Sequence, residues 1–176
     1  MSEPIREPEI QKEAELKIIS APESQASMRW HSFLVKYMLR LFAAYHLFQA
    51  IWIALGKIYF DSAVRNAVYS GLPGMLVLDY ACAVLFVCAS AMLIFARKDL
   101  SILNTRGISR LKTAYILLIA ATGGYALTRF LIAGLSPLSL PVIGQTISYT
   151  ALLLINRAYY RARSGAFAED PKRSKS

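Results

Sequence analysis

Residues 73–96, PGMLVLDYACAVLFVCASAMLIFA, decide the fold class of this chain, and Asp79 is their only charged residue. A helix crosses the hydrocarbon core of a bilayer with about 20 mainly apolar residues, so this stretch is long enough to span it. Pro73 stands where the helix would begin, and the missing N–H of proline does least harm there. The stretch therefore predicts a transmembrane helix.

Three further stretches have the same character, from about Phe33 to Tyr59, about Leu111 to Gly134 and about Leu138 to Tyr160. The chain is 56% hydrophobic with a mean hydropathy of +0.41, above the 45–50% apolar content of soluble domains. The sequence predicts an all-α, polytopic membrane protein, with a bundle of four transmembrane helices in residues 29–163. The short connection of residues 135–137 would make the last two helices an antiparallel hairpin.

The distribution of basic residues predicts the orientation of the bundle. Cytoplasmic loops of membrane proteins carry an excess of lysine and arginine. The loop after span one carries only Lys57 and Arg65, and the loop after span three carries no charge. We therefore expect a multi-pass protein with both termini and the middle loop in the cytoplasm. Basic residues cluster at each of these three segments: Arg29, Lys36 and Arg40 at the start of span one; Arg97, Lys98, Arg106, Arg110 and Lys112 between spans two and three; and Arg157, Arg161, Arg163, Lys172, Arg173 and Lys175 at and after the end of span four.

The net charge of +9 points to lipid rather than to nucleic acid, because the basic residues cluster beside the hydrophobic spans. Anionic headgroups on the cytoplasmic side are the expected partner. Arg29, Lys36 and Arg40 follow one another at spacings of seven and four and are candidate headgroup contacts, by snorkelling or as a specific lipid or partner site. The two ends, an acidic tail of residues 1–28 and a basic tail of residues 164–176, are predicted to be disordered in the cytoplasm.

Two charges stand inside the predicted spans, Asp79 in span two and Arg129 in span three. A charged side chain at the centre of a helix costs about 2.5–3.5 kcal/mol to insert, so such residues are rare. Asp79 lies six residues past Pro73 and Arg129 six residues before Leu135, which places both about 9 Å below the outer boundary. Each span thus brings one strongly polar residue to this layer, because Gln49 and Gln145 fall within a turn of the same depth.

The candidate intramembrane polar cluster consists of Asp79, Arg129, Gln49, Gln145, His46, Tyr125 and Tyr149. Polar side chains in hydrocarbon need partners within the protein, so these should face one another. Two interpretations stay open: an Asp79–Arg129 pair that fixes helix register, or a polar cavity open to the outer face that binds an anion, a cation or a proton. The inner half offers only Asn156 and Ser90, which argues against a polar pathway across the membrane.

The sequence carries no motif for a catalytic or cofactor site. Gly-rich phosphate loops, His-Glu-x-x-His and Gly-x-Ser-x-Gly do not occur, and each would mark a known chemistry. Cys82 and Cys88 are six residues apart, which suits packing residues rather than a redox pair. His46 has no second histidine at its depth to complete a haem site. We expect no enzyme activity, no cofactor and no metal.

Two short motifs resemble those of small uncharacterised four-span membrane proteins of bacteria. They are VLDY at residues 77–80 and FARKDL at residues 95–100, at the two ends of span two. The resemblance implies four helices in a bacterial plasma membrane, and it transfers no activity and no site.

These observations favour a non-enzymatic accessory or interaction subunit that contacts a second copy or another membrane protein. The alternative is a small oligomeric transporter or ligand-binding membrane protein that uses the polar cluster in the outer half of the bilayer. A membrane-embedded enzyme is a third interpretation, which the small loops disfavour.

Overall fold

The computed structural model describes residues 28–59, 61–133 and 139–167. Every regular element in these ranges is helical, so the chain is all-α, as the sequence predicts. Most of the acidic tail, the 135–137 connection and residues 168–176 of the basic tail lie outside the described residues, and so does the side chain of Arg129. The disorder predicted for the two tails stays a prediction there.

Five helices follow one another in the described part of the chain. Helix α1 covers residues 29–54 and changes from α-helix at Arg29–Phe33 to π-helix at Leu34–Met38 and back to α-helix at Leu39–Ala54. The others are α2 at Ser62–Gly71, α3 at Pro73–Ser101, α4 at Thr105–Ala133 and α5 at Ser139–Arg161. A 3₁₀ turn at Ser164–Ala166 comes after α5.

Helices α3 and α4 are longer at their basic ends than the sequence indicates. The basic residues from Arg97 to Lys112, expected in a loop, lie almost entirely in these helices, and only residues 102–104 connect them. The side chain of Asn104 accepts a hydrogen bond of 2.9 Å from the backbone N–H of Arg106 and so caps the start of α4. A Cβ at Gly107 would lie 2.7 Å from the backbone nitrogen of Leu100, so the turn closes tightly only with glycine there.

Helix α3 packs against both α1 and α4, and α4 packs against α5. The interface of α3 and α4 alternates small and large buried side chains, so the two helices approach closely. The residues are Ala89, Leu93, Ala96 and Leu100 from α3 and Leu111, Ala114 and Leu118 from α4. On the other side of α4, the Thr146 hydroxyl of α5 donates to that of Thr122 at 2.9 Å.

Residues 164–167, the first residues of the predicted basic tail, pack against the helices. The predicted disordered tail begins at residue 164, but Phe167 is only 6% exposed. Its ring packs edge-on against His31 of α1 and Tyr160 of α5, with centroids 5.7 and 5.4 Å apart. Burying an aromatic ring offsets the entropy of ordering a few residues, which explains why residues 164–167 pack onto the bundle.

Two helices are long and apolar enough to cross a membrane, among the residues that the structure describes. They are Pro73–Ser101 and, within α4, Thr105–Thr128. Both place many of their apolar side chains on the outside of the chain, for example Val84, which is 60% exposed.

The π-helical segment of α1 is held by an arginine from α3. A π turn has i→i+5 hydrogen bonds, so its carbonyls are spaced differently from those of an α-helix. The half-buried Arg97 donates from Nε to the carbonyl oxygen of Val35 at 3.2 Å. The positively charged donor thus ties the segment Leu34–Met38 to α3.

We expect Arg97→Met to lower the stability of the protein by about 1–2 kcal/mol, because a charged donor to a backbone carbonyl is lost. Thermal unfolding in detergent, followed by circular dichroism, measures the change. Lys98→Met is the matched control, since Lys98 is exposed and next in the chain. Equal unfolding temperatures for the two variants would contradict the assigned role of Arg97.

Candidate functional site

A cavity of about 360 Å³ lies between α1, α3, α4 and α5. Its apolar lining consists chiefly of aromatic and aliphatic side chains, namely Phe48, Trp52, Ile53, Phe86 and Val142. Groups able to form hydrogen bonds face it from all four helices: Tyr45, Gln49, Cys82, Thr122, Tyr125 and Gln145. We refer to it as the Tyr45 cavity.

The hydroxyl of Tyr45 joins two helices in the wall of this cavity. Gln49 of α1 and Gln145 of α5 donate from Nε2 to the same Tyr45 oxygen, at 3.0 and 3.1 Å. A tyrosine oxygen that accepts two hydrogen bonds still carries its own proton. Within the described ranges no residue accepts that proton, so Tyr45 has a donor available toward the cavity.

His46 is held next to the cavity but is one side chain removed from it. It is 1% exposed, its Nδ1 lies 2.9 Å from Oε1 of Gln49, and its ring stacks on Phe86 at 5.4 Å. Tyr149 approaches the ring edge-on at 5.3 Å. With Gln49 as acceptor, Nδ1 carries the proton of the neutral ring. Nε2 is then a buried acceptor that finds no partner among the described residues.

Asp79 is turned toward the end of the bundle that carries α2. It is 2% exposed, and its Oδ2 accepts the hydroxyls of Tyr59 at 3.2 Å and Tyr69 at 2.8 Å. The two tyrosine rings meet edge-on at 5.4 Å. Hydrogen bonds to an ionised acceptor are about twice as strong as neutral ones. The carboxyl group therefore anchors α2, which begins at the Asp61 cap, to α3.

The predicted polar cluster divides into three parts. Gln49, Gln145 and Tyr125 line the Tyr45 cavity, and His46 and Tyr149 contact each other beside it. Asp79 binds the tyrosines at the end of the bundle. Because the Arg129 side chain lies outside the described residues, its pairing with Asp79 stays a prediction.

The three candidate headgroup residues, Arg29, Lys36 and Arg40, are all exposed on α1. The Lys36 ammonium lies 5.2 Å from the ring centre of Tyr37. Lys36 itself stands in the π-helical segment, so the regular helical spacing assumed for this stripe does not hold between Arg29 and Arg40.

A second polar network, which the sequence did not reveal, joins α1, α4 and α5 at the basic end. Trp30 donates from Nε1 to Asn156 at 3.2 Å, and Asn156 donates to the hydroxyl of Tyr115 at 3.3 Å. His31 Nδ1 lies 3.2 Å from the Tyr160 hydroxyl. Asn156 was the available signal, since a buried amide needs partners.

No protein-family model matches this chain, and no curated protein or solved structure matches it. In the ranges that the structure covers, no three His, Cys, Asp or Glu side chains are grouped to hold a metal ion. The function must therefore be inferred from the geometry of the Tyr45 cavity and its surroundings.

The bond between Tyr69 and Asp79 predicts a stability that falls at alkaline pH. Burial and the Asp79 carboxylate raise the pKa of Tyr69. A raised pKa means that the stabilisation is complete below the ordinary tyrosine pKa of about 10 and is lost as pH rises above it. We expect Tyr69→Phe to be less stable than the wild type at pH 8, and this difference to shrink above about pH 10.

Chemical unfolding in detergent across this pH range measures the effect. Tyr80→Phe is the control, because Tyr80 is 51% exposed and stands next to Asp79 on α3. A pH dependence that is the same in Tyr69→Phe and in the wild type would show that the hydroxyl of Tyr69 does not anchor α2.

Proposed function

We propose that this chain is a non-catalytic membrane protein that binds a small, uncharged and mainly apolar molecule in the Tyr45 cavity. The cavity itself carries this proposal, since about 360 Å³ falls within the usual range of ligand pockets, roughly 300–1,000 Å³. We further propose that the four long helices α1, α3, α4 and α5 all cross a plasma membrane of the bacterial type, with both termini in the cytoplasm.

Exposed apolar side chains on all four long helices support the membrane arrangement. Leu41 of α1, Leu131 of α4 and Ile147 of α5 are 64%, 73% and 65% exposed. On α3, Val84 is 60% exposed. Soluble monomers rarely leave contiguous apolar patches larger than a few hundred Å² in water. Lipid chains would cover these faces without cost.

The positions of the basic residues support the orientation. Arg97, Lys98 and Arg106 surround the short α3–α4 turn, and Arg157 and Arg161 lie at the end of α5. The connection from α1 to α3, which includes α2, lies at the opposite end and has only two basic residues, Lys57 and Arg65. The positive-inside rule places the richer end in the cytoplasm, so the Tyr45 cavity belongs to the outer half of the bilayer.

The lining of the cavity defines the ligand by its chemistry. None of the described lining residues is charged, and an ion would cost several kcal/mol to bury without a partner. The aromatic side chains of Phe48, Trp52 and Phe86 suit a flat apolar body. The available Tyr45 hydroxyl proton suits a carbonyl or ether oxygen on the ligand, placed within hydrogen-bond distance.

An accessory or interaction subunit is the second candidate function, and one surface favours it. Phe33 and Tyr37 of α1 are 46% and 50% exposed, and they continue a row of rings that begins at Trp30. Aromatic side chains are enriched in protein interfaces. Aromatic side chains are also enriched at the membrane surface, so their exposure alone does not separate a protein partner from lipid. Cross-linking at Tyr37 in whole cells would favour an interaction subunit if it yielded one defined protein adduct.

We expect the neutral probe N-phenyl-1-naphthylamine to quench Trp52 by energy transfer when it enters the Tyr45 cavity. Val142→Phe should abolish saturable binding, because Val142 lines the cavity and an aromatic ring there would fill it. Ile143→Phe, at the neighbouring and more exposed position, should leave binding intact, and both variants keep the tryptophans unchanged. Fluorescence titration in detergent measures both variants, against a background from empty micelles. Equal binding by the two variants would overturn the cavity as a binding site.

The orientation predicts which cysteines a membrane-impermeant maleimide reaches in intact cells. In a background without Cys82 and Cys88, Ser62→Cys at the start of α2 should be labelled from outside. Ser101→Cys at the α3–α4 turn should be labelled only after permeabilisation, since both serines are exposed. The mass that the maleimide adds to the protein is detected as a shift on a gel. Labelling of Ser101→Cys but not of Ser62→Cys in intact cells would overturn the proposed orientation.

A further inference from the structure

A second cavity, of about 340 Å³, lies between α4 and α5 at the basic end of the bundle. Its walls include the apolar side chains of Ile108, Leu111 and Leu153. The Tyr115–Asn156 hydrogen bond closes its inner side. We refer to it as the α4–α5 groove, and it is separate from the Tyr45 cavity, with which it shares no lining residue.

Three cations line this groove, Lys112 from α4 and Arg157 and Arg161 from α5. All three are exposed, and within the described ranges no carboxylate pairs with any of them. Arg157 and Arg161 are one helical turn apart, where like charges repel and destabilise a helix. An anion placed between the two helices would relieve this repulsion and would accept hydrogen bonds from the guanidinium groups.

The apolar surface beside these cations identifies the kind of anion. The arginines lie between two grooves, because a more open depression lined by Leu154, Ala158 and Ala162 borders the same pair on the other side. A phosphate group with an apolar chain on each side fits this arrangement. A free inorganic anion would make no use of the apolar walls, whereas the acyl chains of a bound lipid would pack along them.

We propose that the α4–α5 groove binds one anionic diacyl phospholipid of the inner leaflet. Its phosphate lies between Lys112, Arg157 and Arg161, and one acyl chain runs along Leu111 and Leu153. The inference rests on the membrane arrangement and orientation proposed above, and it is independent of the ligand of the Tyr45 cavity. It differs from the diffuse headgroup contacts of Arg29, Lys36 and Arg40, because it predicts one lipid held at one position.

Native mass spectrometry of the full-length chain, purified in detergent and titrated with phosphatidylglycerol, tests the proposal. We expect one retained phosphatidylglycerol and no retained phosphatidylcholine. The triple variant Lys112→Gln, Arg157→Gln, Arg161→Gln should bind phosphatidylglycerol about tenfold more weakly or worse. The control is a second triple variant, Arg29→Gln, Lys36→Gln, Arg40→Gln. It removes the same amount of charge from the same end of the bundle and should bind phosphatidylglycerol as the wild type does. Equal loss in the two triple variants would overturn the proposal.

A second pair of variants keeps every charge and so remains informative if the triple variant does not fold. Leu153→Trp should fill the groove and weaken lipid binding, whereas Ile155→Trp, at a 54% exposed position outside both grooves, should not. Excess inorganic phosphate serves as the competitor. Displacement of the lipid by phosphate alone, or unchanged binding by Leu153→Trp, would overturn the assignment of a phospholipid.

Failure of this lipid site is distinguishable from failure of the proposed function. The labelling of Ser62→Cys and Ser101→Cys reports the orientation, and the quenching of Trp52 reports the cavity in the outer half. Both measurements should give the same result in the Lys112, Arg157, Arg161 variant as in the wild type. A reversed labelling pattern would remove the inner-leaflet assignment together with the orientation.

Discussion

The structure depends on one constraint, that polar groups buried between the helices need hydrogen-bond partners inside the protein. Gln49, His46 and Asn156 each form a hydrogen bond with a side chain of their own helix or of a neighbouring one. Hydroxyl groups of serine and threonine solve the same problem locally, as Ser90 does by donating to the carbonyl of Phe86 at 2.8 Å. The polar residues therefore determine which helix faces turn inward.

The same constraint explains why cavities form where they do. Helices α3 and α4 meet through alanine and leucine and leave little space between them. Helices α1 and α5 meet instead through large polar and aromatic side chains, namely the pairs Trp30–Asn156, His31–Tyr160, Tyr45–Gln145 and His46–Tyr149. These pairs of large side chains hold the helices further apart than small residues would. The Tyr45 cavity lies beside two of the pairs, Tyr45–Gln145 and His46–Tyr149. The site is thus a by-product of how the bundle closes.

The sequence alone predicts the all-α fold and the long apolar helices, because hydrophobic length is a local property of the chain. It also indicates that Gln49 and Gln145 occur at a similar level of the bundle, since this level is obtained by counting residues along a helix. It could not reveal that Tyr59 and Tyr69 bind Asp79, because both precede α3 and reach it only through the turn and α2. Nor could it reveal the π turn, which depends on contacts between helices.

The π-helical segment at Leu34–Met38 has a consequence for how the length of α1 can change. A π turn accommodates one residue more than an α-helical turn does, and it rotates the N-terminal part of the helix relative to the C-terminal part. Trp30 and His31 owe their position against α5 to this rotation, while Leu39 and Ala43 keep theirs in the core. A chain one residue shorter at this point would form a regular α-helix. It would still place Trp30 and His31 against α5 and Leu39 and Ala43 in the core. The first helix can therefore lose one residue here without moving the rest of the bundle.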